Sequence, residues 1–148
     1  MIQNANWYYG VAMSDLWDDG GIAVMKTAGL LIPSTAPQII RNCGQQLARW
    51  GSVGLMAHYQ NADLRINPDD MFAGAIGPAR IAAGRSLPVA LVVKREDLDA
   101  WRVYARLMAR NGVLRGVFTD DAQALRWTRQ QAAIFSADRV SRTPASGR

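Results

Sequence analysis

The chain has 148 residues, 49% of them hydrophobic and 20% charged, with a formal net charge of +5. That length suits one domain with a core of ordinary size, and that balance excludes a disordered chain. No apolar run nears the ~20 residues of a membrane-spanning helix, and the opening MIQNANWYYG lacks the pattern of a secretory leader. One cysteine, Cys43, forms no internal disulfide, so a cytoplasmic location is expected.

Residues 7–13 (WYYGVAM) and 22–28 (IAVMKTA) are rich in aromatic and aliphatic side chains, with the turn former DDGG at 18–21 between them. The pattern predicts a β-hairpin whose connection includes SDLW. Ser34 or Thr35 then caps a helix that tolerates Pro37 in its first turn. Ala36, Ile40, Cys43, Leu47 and Trp50 recur at helical spacing, and Gly51 ends the element. Gly44 inside it costs about 1 kcal/mol relative to alanine, which predicts a close neighbour there.

Residues 53–59 (VGLMAHY) read as a strand covered on both faces. A weaker helix over 69–79 opens at NPDD, and IAAGRSL after it reads as loop. Residues 88–94 (PVALVVK) form the clearest buried strand, its proline harmless at the start. A helix over 96–111 places Leu98, Trp101, Ala105 and Met108 on one face, flanked by Tyr104 and Leu107. A last strand over 113–118 leads to a helix capped by Asp120, with Gln123 placed to answer it. Residues 136–148 are small, polar and basic, and are expected to form a disordered tail beyond a single domain at 1–135.

The predicted order is thus β-β-α-β-α-β-α-β-α, an α/β domain with a mixed sheet of about five strands and four helices. Strands alternating with helices imply parallel pairing through right-handed crossovers. In this order, and in three segments, the chain resembles the STAS or SpoIIAA-like domains, including small bacterial SpoIIAA-like proteins. The segments are AVMKTAGLLIPSTAPQII, PVALVVK with AWRVYARLMARNG, and VFTDDAQALRW. The likeness spans most of residues 7–132. It implies the STAS-like fold and, for the anti-sigma antagonists, a phosphorylatable serine after the third strand. Here the corresponding segment, QNADLRINPDDMF at 60–72, has neither serine nor threonine, so that switch is absent.

His58, the only histidine, falls near the carboxyl end of the third predicted strand, beside Tyr59, Gln60, Asn61 and Asp63. Ligands bind outside the carboxyl ends of strands in open α/β sheets. Lys94 and Thr119 follow the next two strands. His58, Tyr59, Asn61, Asp63, Lys94 and Thr119 are therefore the candidate ligand-binding residues. An enzyme using His58 with Asn61 or Asp63 is the alternative. With one histidine and no nucleophile, no catalytic residue is assigned, and a structural histidine is the simpler account.

A zinc site wants several His or Cys ligands close together, so neither metal nor cofactor is expected. The first 79 residues hold four basic side chains against six aspartates, and the remainder thirteen against six acids. Arg102, Arg106 and Arg110 stand at i, i+4 spacing, so a nucleic-acid binder using this stripe is a further alternative. A solvated helix face, or a genome rich in arginine codons, yields the same stripe. Trp7, Tyr8, Tyr9 and Trp17 lie in or beside the N-terminal hairpin, and aromatic residues near a sheet edge suit a homodimer contact. Together these features predict a non-catalytic module that binds a protein partner or a small apolar or anionic ligand.

Overall fold

Turn chemistry at the N-terminus produces three strands where two were expected. The structure, a computed structural model, describes residues 3–83 and 87–142. Within WYYGVAM the chain reverses at Gly10, and the Tyr9 amide donates to the Ala12 carbonyl at 2.8 Å. Strand β1 (Gln3–Tyr8) therefore ends there and β2 (Ala12–Asp19) begins, taking in the SDLW expected as connection. Gly20 and Gly21, with φ of 74° and 97°, make the two-residue turn into β3 (Ile22–Leu31). Positive φ at both positions matches the right-handed twist of a hairpin.

From β3 onward the chain alternates as the sequence predicts. Helix α1 (Ala36–Trp50) buries Ala36, Ile39, Cys43 and Leu47, and Gly51 closes it. Strand β4 (Gly54–Leu64) runs five residues past the expected end at Tyr59. Helix α2 (Pro68–Ala83) includes 81–83, part of the expected loop. The expected strand at 88–94 shortens to β5 (Val89–Val92), followed by a 3-10 turn (Arg95–Asp97) and α3 (Leu98–Arg110). Strand β6 (Arg115–Phe118) leads to α4 (Asp121–Arg142). Asp120 caps α4, its carboxylate accepting from the Ala122 and Gln123 amides at 3.2 and 3.4 Å. The helix runs to Arg142, so 136–142 are helical where a disordered tail was expected; 143–148 lie outside the described residues.

Among the described residues, six strands lie in sequence order in one sheet. β1, β2 and β3 pair antiparallel, and β3 to β6 pair parallel. Helices α1, α2 and α3 cover one face, where the main core gathers Leu16, Met25, Leu55, Leu91, Trp101 and Met108. Helix α4 covers the other face over β4 to β6, where Met56, Ala90, Val92 and Ala124 form a smaller core beneath Phe118 and Trp127. Lys26 lies 5.9 Å above the Trp17 ring on the face opposite the main core.

One irregularity matters for the site. Lys26 pairs with His58, but Ala28 pairs with Asn61, so β4 carries one residue more than β3 at this point. This β-bulge sets Tyr59 and Gln60 together against Thr27.

Candidate functional site

Between the sheet and helices α1 to α3 lies a cavity of about 270 Å³. Its wall is mostly aliphatic: Met25, Leu31, Ile39, Leu47, Leu55 and Leu91 belong to it, with Gly44 from α1 and Phe135 from α4. Among the described residues, Cys43, Ser52, Tyr59, Trp101, Tyr104 and Arg115 add polar or ionisable groups to its lining. Few polar groups set in an apolar wall is the usual composition of a small-molecule site.

Arg115 reaches the cavity because of strand parity. It pairs with Val89, and Val117 pairs with Leu91, so this row of β6 faces the main core. Its Nη1 donates to the carbonyls of Leu87 at 3.3 Å and Leu114 at 3.0 Å. The guanidinium also hydrogen-bonds the Tyr104 side chain. Burial holds the guanidinium below its ordinary pKa, while Tyr104 works the other way. Arginine nevertheless stays protonated in proteins.

The aromatic groups form a stack. Tyr59 lies on Trp101 with ring centroids 4.6 Å apart, and Trp101 meets Tyr104 edge-on at 5.7 Å. Such geometry contributes beyond the area buried. Burial pushes Tyr59 and Tyr104 above the usual phenol range, and it pushes the Cys43 thiol up to about 12. All three are neutral near pH 7.

The six candidate ligand-binding residues do not converge. His58 and Tyr59 are neighbours in sequence and lie on opposite faces of the sheet. Tyr59 lines the cavity. His58, 8% exposed, instead meets α4, its Nε2 standing 3.1 Å from Asp121 Oδ1. Its buried Nδ1 has no hydrogen-bond partner among the described residues. Asn61 is exposed, and Asp63 accepts from Arg65 Nε at 2.9 Å. Lys94 sits 3.8 Å from Asp97, and Thr119 is exposed beyond β6.

Sequence reasoning missed Arg115 and Tyr104 as a site and took Trp101 and Cys43 as packing only. The available signal was alternation in VLRGVF, which puts Arg115 in one row with Val113 and Val117. On α3, Arg102, Arg106 and Arg110 are exposed, with Arg102 Nη1 at 4.0 Å from Asp99. Among the described residues no group of three or more His, Cys, Asp or Glu side chains could hold a metal ion. No helix among them is long and apolar enough to cross a membrane.

No family model matches the chain, and no curated protein does so. Solved structures do match. An anti-sigma factor antagonist from Mycobacterium paratuberculosis superposes with a TM-score of 0.51 at 13% identity, over 87% of this chain and 95% of that one. An uncharacterised protein of the DUF3478 family with a SpoIIAA-like fold, from Shewanella loihica, matches with a TM-score of 0.47 at 16% identity, over 86% and 93%. Three parallel crossovers, a sheet in sequence order and the first of these likenesses agree with the resemblance carried by the sequence. By fold this chain is similar to that anti-sigma factor antagonist, an α/β domain with a mixed sheet.

Proposed function

We propose that the chain is a non-catalytic cytoplasmic binding module that takes up a small, mainly apolar ligand between its sheet and helices α1 to α3. The observation that carries this reading is the aliphatic cavity of about 270 Å³. Packed interiors hold few voids larger than a water molecule, and an apolar cavity of ~150 Å³ is enough to admit benzene. Of the residues expected to bind ligand, Tyr59 is the one this reading keeps.

The experiment is titration of the full chain with 1-octanol, followed by thermal unfolding and by Trp101 fluorescence. Saturation at 100 times Kd stabilises a one-site protein by about 2.7 kcal/mol, a rise of several degrees in Tm. Gly44→Leu fills the cavity from α1 and improves helix propensity, so it should abolish the shift while leaving the fold intact. Absence of any shift in the unsubstituted chain rejects the reading.

A second reading, engagement of a protein partner, is favoured by one observation. The Mycobacterium structure of the same fold is an anti-sigma factor antagonist. Residues 60–72 lack a hydroxyl, so such a partner would be bound without a phosphoserine switch there. A homodimer through the N-terminal hairpin is a third element of the proposal, since the outer edge of β1 has no strand partner among the described residues.

A further inference from the structure

We infer that the face of β1, β2 and β3 turned away from the main core docks against the same face of a second copy, Asp15 of each chain pairing with the partner's Lys26. The inference rests on the homodimer reading above and moves the contact from the edge of β1 to the face of these strands. Helix α4 covers β4 to β6 on this side, and among the described residues no other helix lies over it.

The outward side chains form rows across the three strands. Tyr8, Met13 and Ala28 stand in one, Asn6, Asp15 and Lys26 in the next, and Asn4, Trp17 and Val24 in the third. A charged row thus runs between two that are mostly apolar. Asp15 and Lys26 are exposed and opposite each other in register, yet no ion pair joins them. Lys26 Nζ stands 5.9 Å above the Trp17 ring instead, and Asp15 has no salt-bridge partner among the described residues. Asp19, the other charged side chain these strands turn outward, sits at the rim beside the Gly20–Gly21 turn.

This pattern complements itself. A two-fold axis parallel to the strands, above the gap between β2 and β3, lays β2 of each copy over β3 of the other. Every row then meets itself. Met13 faces the partner's Ala28, Trp17 the partner's Val24, and Asp15 the partner's Lys26. Aligned sheets pack about 10 Å apart, which a lysine and an aspartate span together. A hollow lined by Asn4, Asn6, Asp15 and Trp17 opens on this face, and its amide oxygens and carboxylate suit an incoming ammonium. A pair enclosed in this way fixes register more than it adds affinity. A slip of one row would set both charges against apolar side chains.

Solvated charges on an open sheet face can also serve to keep it from associating, and the two roles can be separated. The full chain at tens of micromolar should be a dimer in light scattering. Asp15→Lys and Lys26→Asp each set like charges across the interface. Each should weaken the dimer at least about a hundredfold, leaving a monomer with native circular dichroism. Mixed in equal amounts, the two variants should form a heterodimer, because every cross-interface pair then joins opposite charges. Within each chain the two positions still carry like charges, so recovery on mixing reports contact between copies. If either reversal does not fold, Asp15→Asn and Lys26→Gln carry the same test. Each alone leaves charges unpaired, whereas their mixture keeps a complete pair. A dimer that survives both reversals overturns this inference and leaves the contact at the edge of β1 standing. So does a mixture that stays monomeric. A monomer in the unsubstituted chain removes the homodimer reading and this inference together.

Discussion

Ser52, in the loop after α1, donates its hydroxyl proton to the carboxylate of Asp18 on β2, and both side chains are buried. The other carboxylate oxygen accepts from the Gly21 amide at 2.9 Å, and the Gly21 carbonyl accepts from the Val53 amide at 2.8 Å. One aspartate thus joins the β2–β3 turn to the start of β4. Ser52→Ala removes a donor from a buried carboxylate and should cost about 1–3 kcal/mol, read as a lower urea midpoint with an unchanged slope.

Gly29 on β3 should be irreplaceable. Its φ is 102°, and a Cβ there would stand 2.3 Å from the Val11 carbonyl oxygen. The same carbonyl accepts from the Leu30 amide at 2.9 Å, so it cannot withdraw freely. Gly29→Ala is expected to cost at least about 3 kcal/mol, the upper end for strained backbone alone. Gly20→Ala, where a Cβ meets open space, should cost only about 1–2 kcal/mol. Paired thermal melts compare the two.

Cys43 should resist thiol reagents in the native state. Burial raises its pKa from 9.0 to about 12, so the reactive thiolate is scarce. Labelling should therefore follow global unfolding. The unfolded chain releases this proton first, so it binds fewer protons than the native state between about pH 9 and 12, and stability falls as pH rises through that window. Tyr59 and Tyr104, also raised, act in the same direction. Denaturation midpoints measured from pH 8 to 11 should decline, and Cys43→Ala should decline less steeply.

The hairpin aromatics should separate into two roles. Trp7 and Tyr9 pack against the main core, whereas Tyr8 is 76% exposed. Trp7→Ala should lower stability by about 1–3 kcal/mol, part of the cost of deleting a fully buried ring. If the proposed homodimer forms along β1, Tyr8→Ala should weaken it in light scattering without lowering Tm. A monomer at tens of micromolar in the unsubstituted chain removes the dimer.

Much of the fold was legible because single residues settle element ends. Gly51 closes α1, and Asp120 opens α4. The apolar runs of β4 and β5 stood out because both faces of these strands are covered. Strand β2 did not stand out, since its inward row is Ala12, Ser14, Leu16 and Asp18. Two of those four are polar, and what satisfies them is remote in sequence. Ser14 meets Thr27 across the hairpin at 2.8 Å, and Asp18 meets Ser52. The site was less legible for the same reason. Arg115 looks like one arginine among many until a sheet turns its row inward, and His58 found Asp121 rather than its neighbours Asn61 and Asp63.

The bulge in β4 has a consequence for insertion and deletion. In a regular strand, losing one residue inverts every later side chain, because successive residues point to opposite faces. In β4 the inward row runs Leu55, Ala57, Tyr59 and then skips to Ala62. Removing Gln60 would restore even spacing, leaving each buried residue on its own side and straightening the strand. Removing Ala57 would send His58 and Gln60 inward in place of Tyr59. Gln60 thus marks a seam in the reading frame of the strand, the one place in its middle where length can change while facing is conserved.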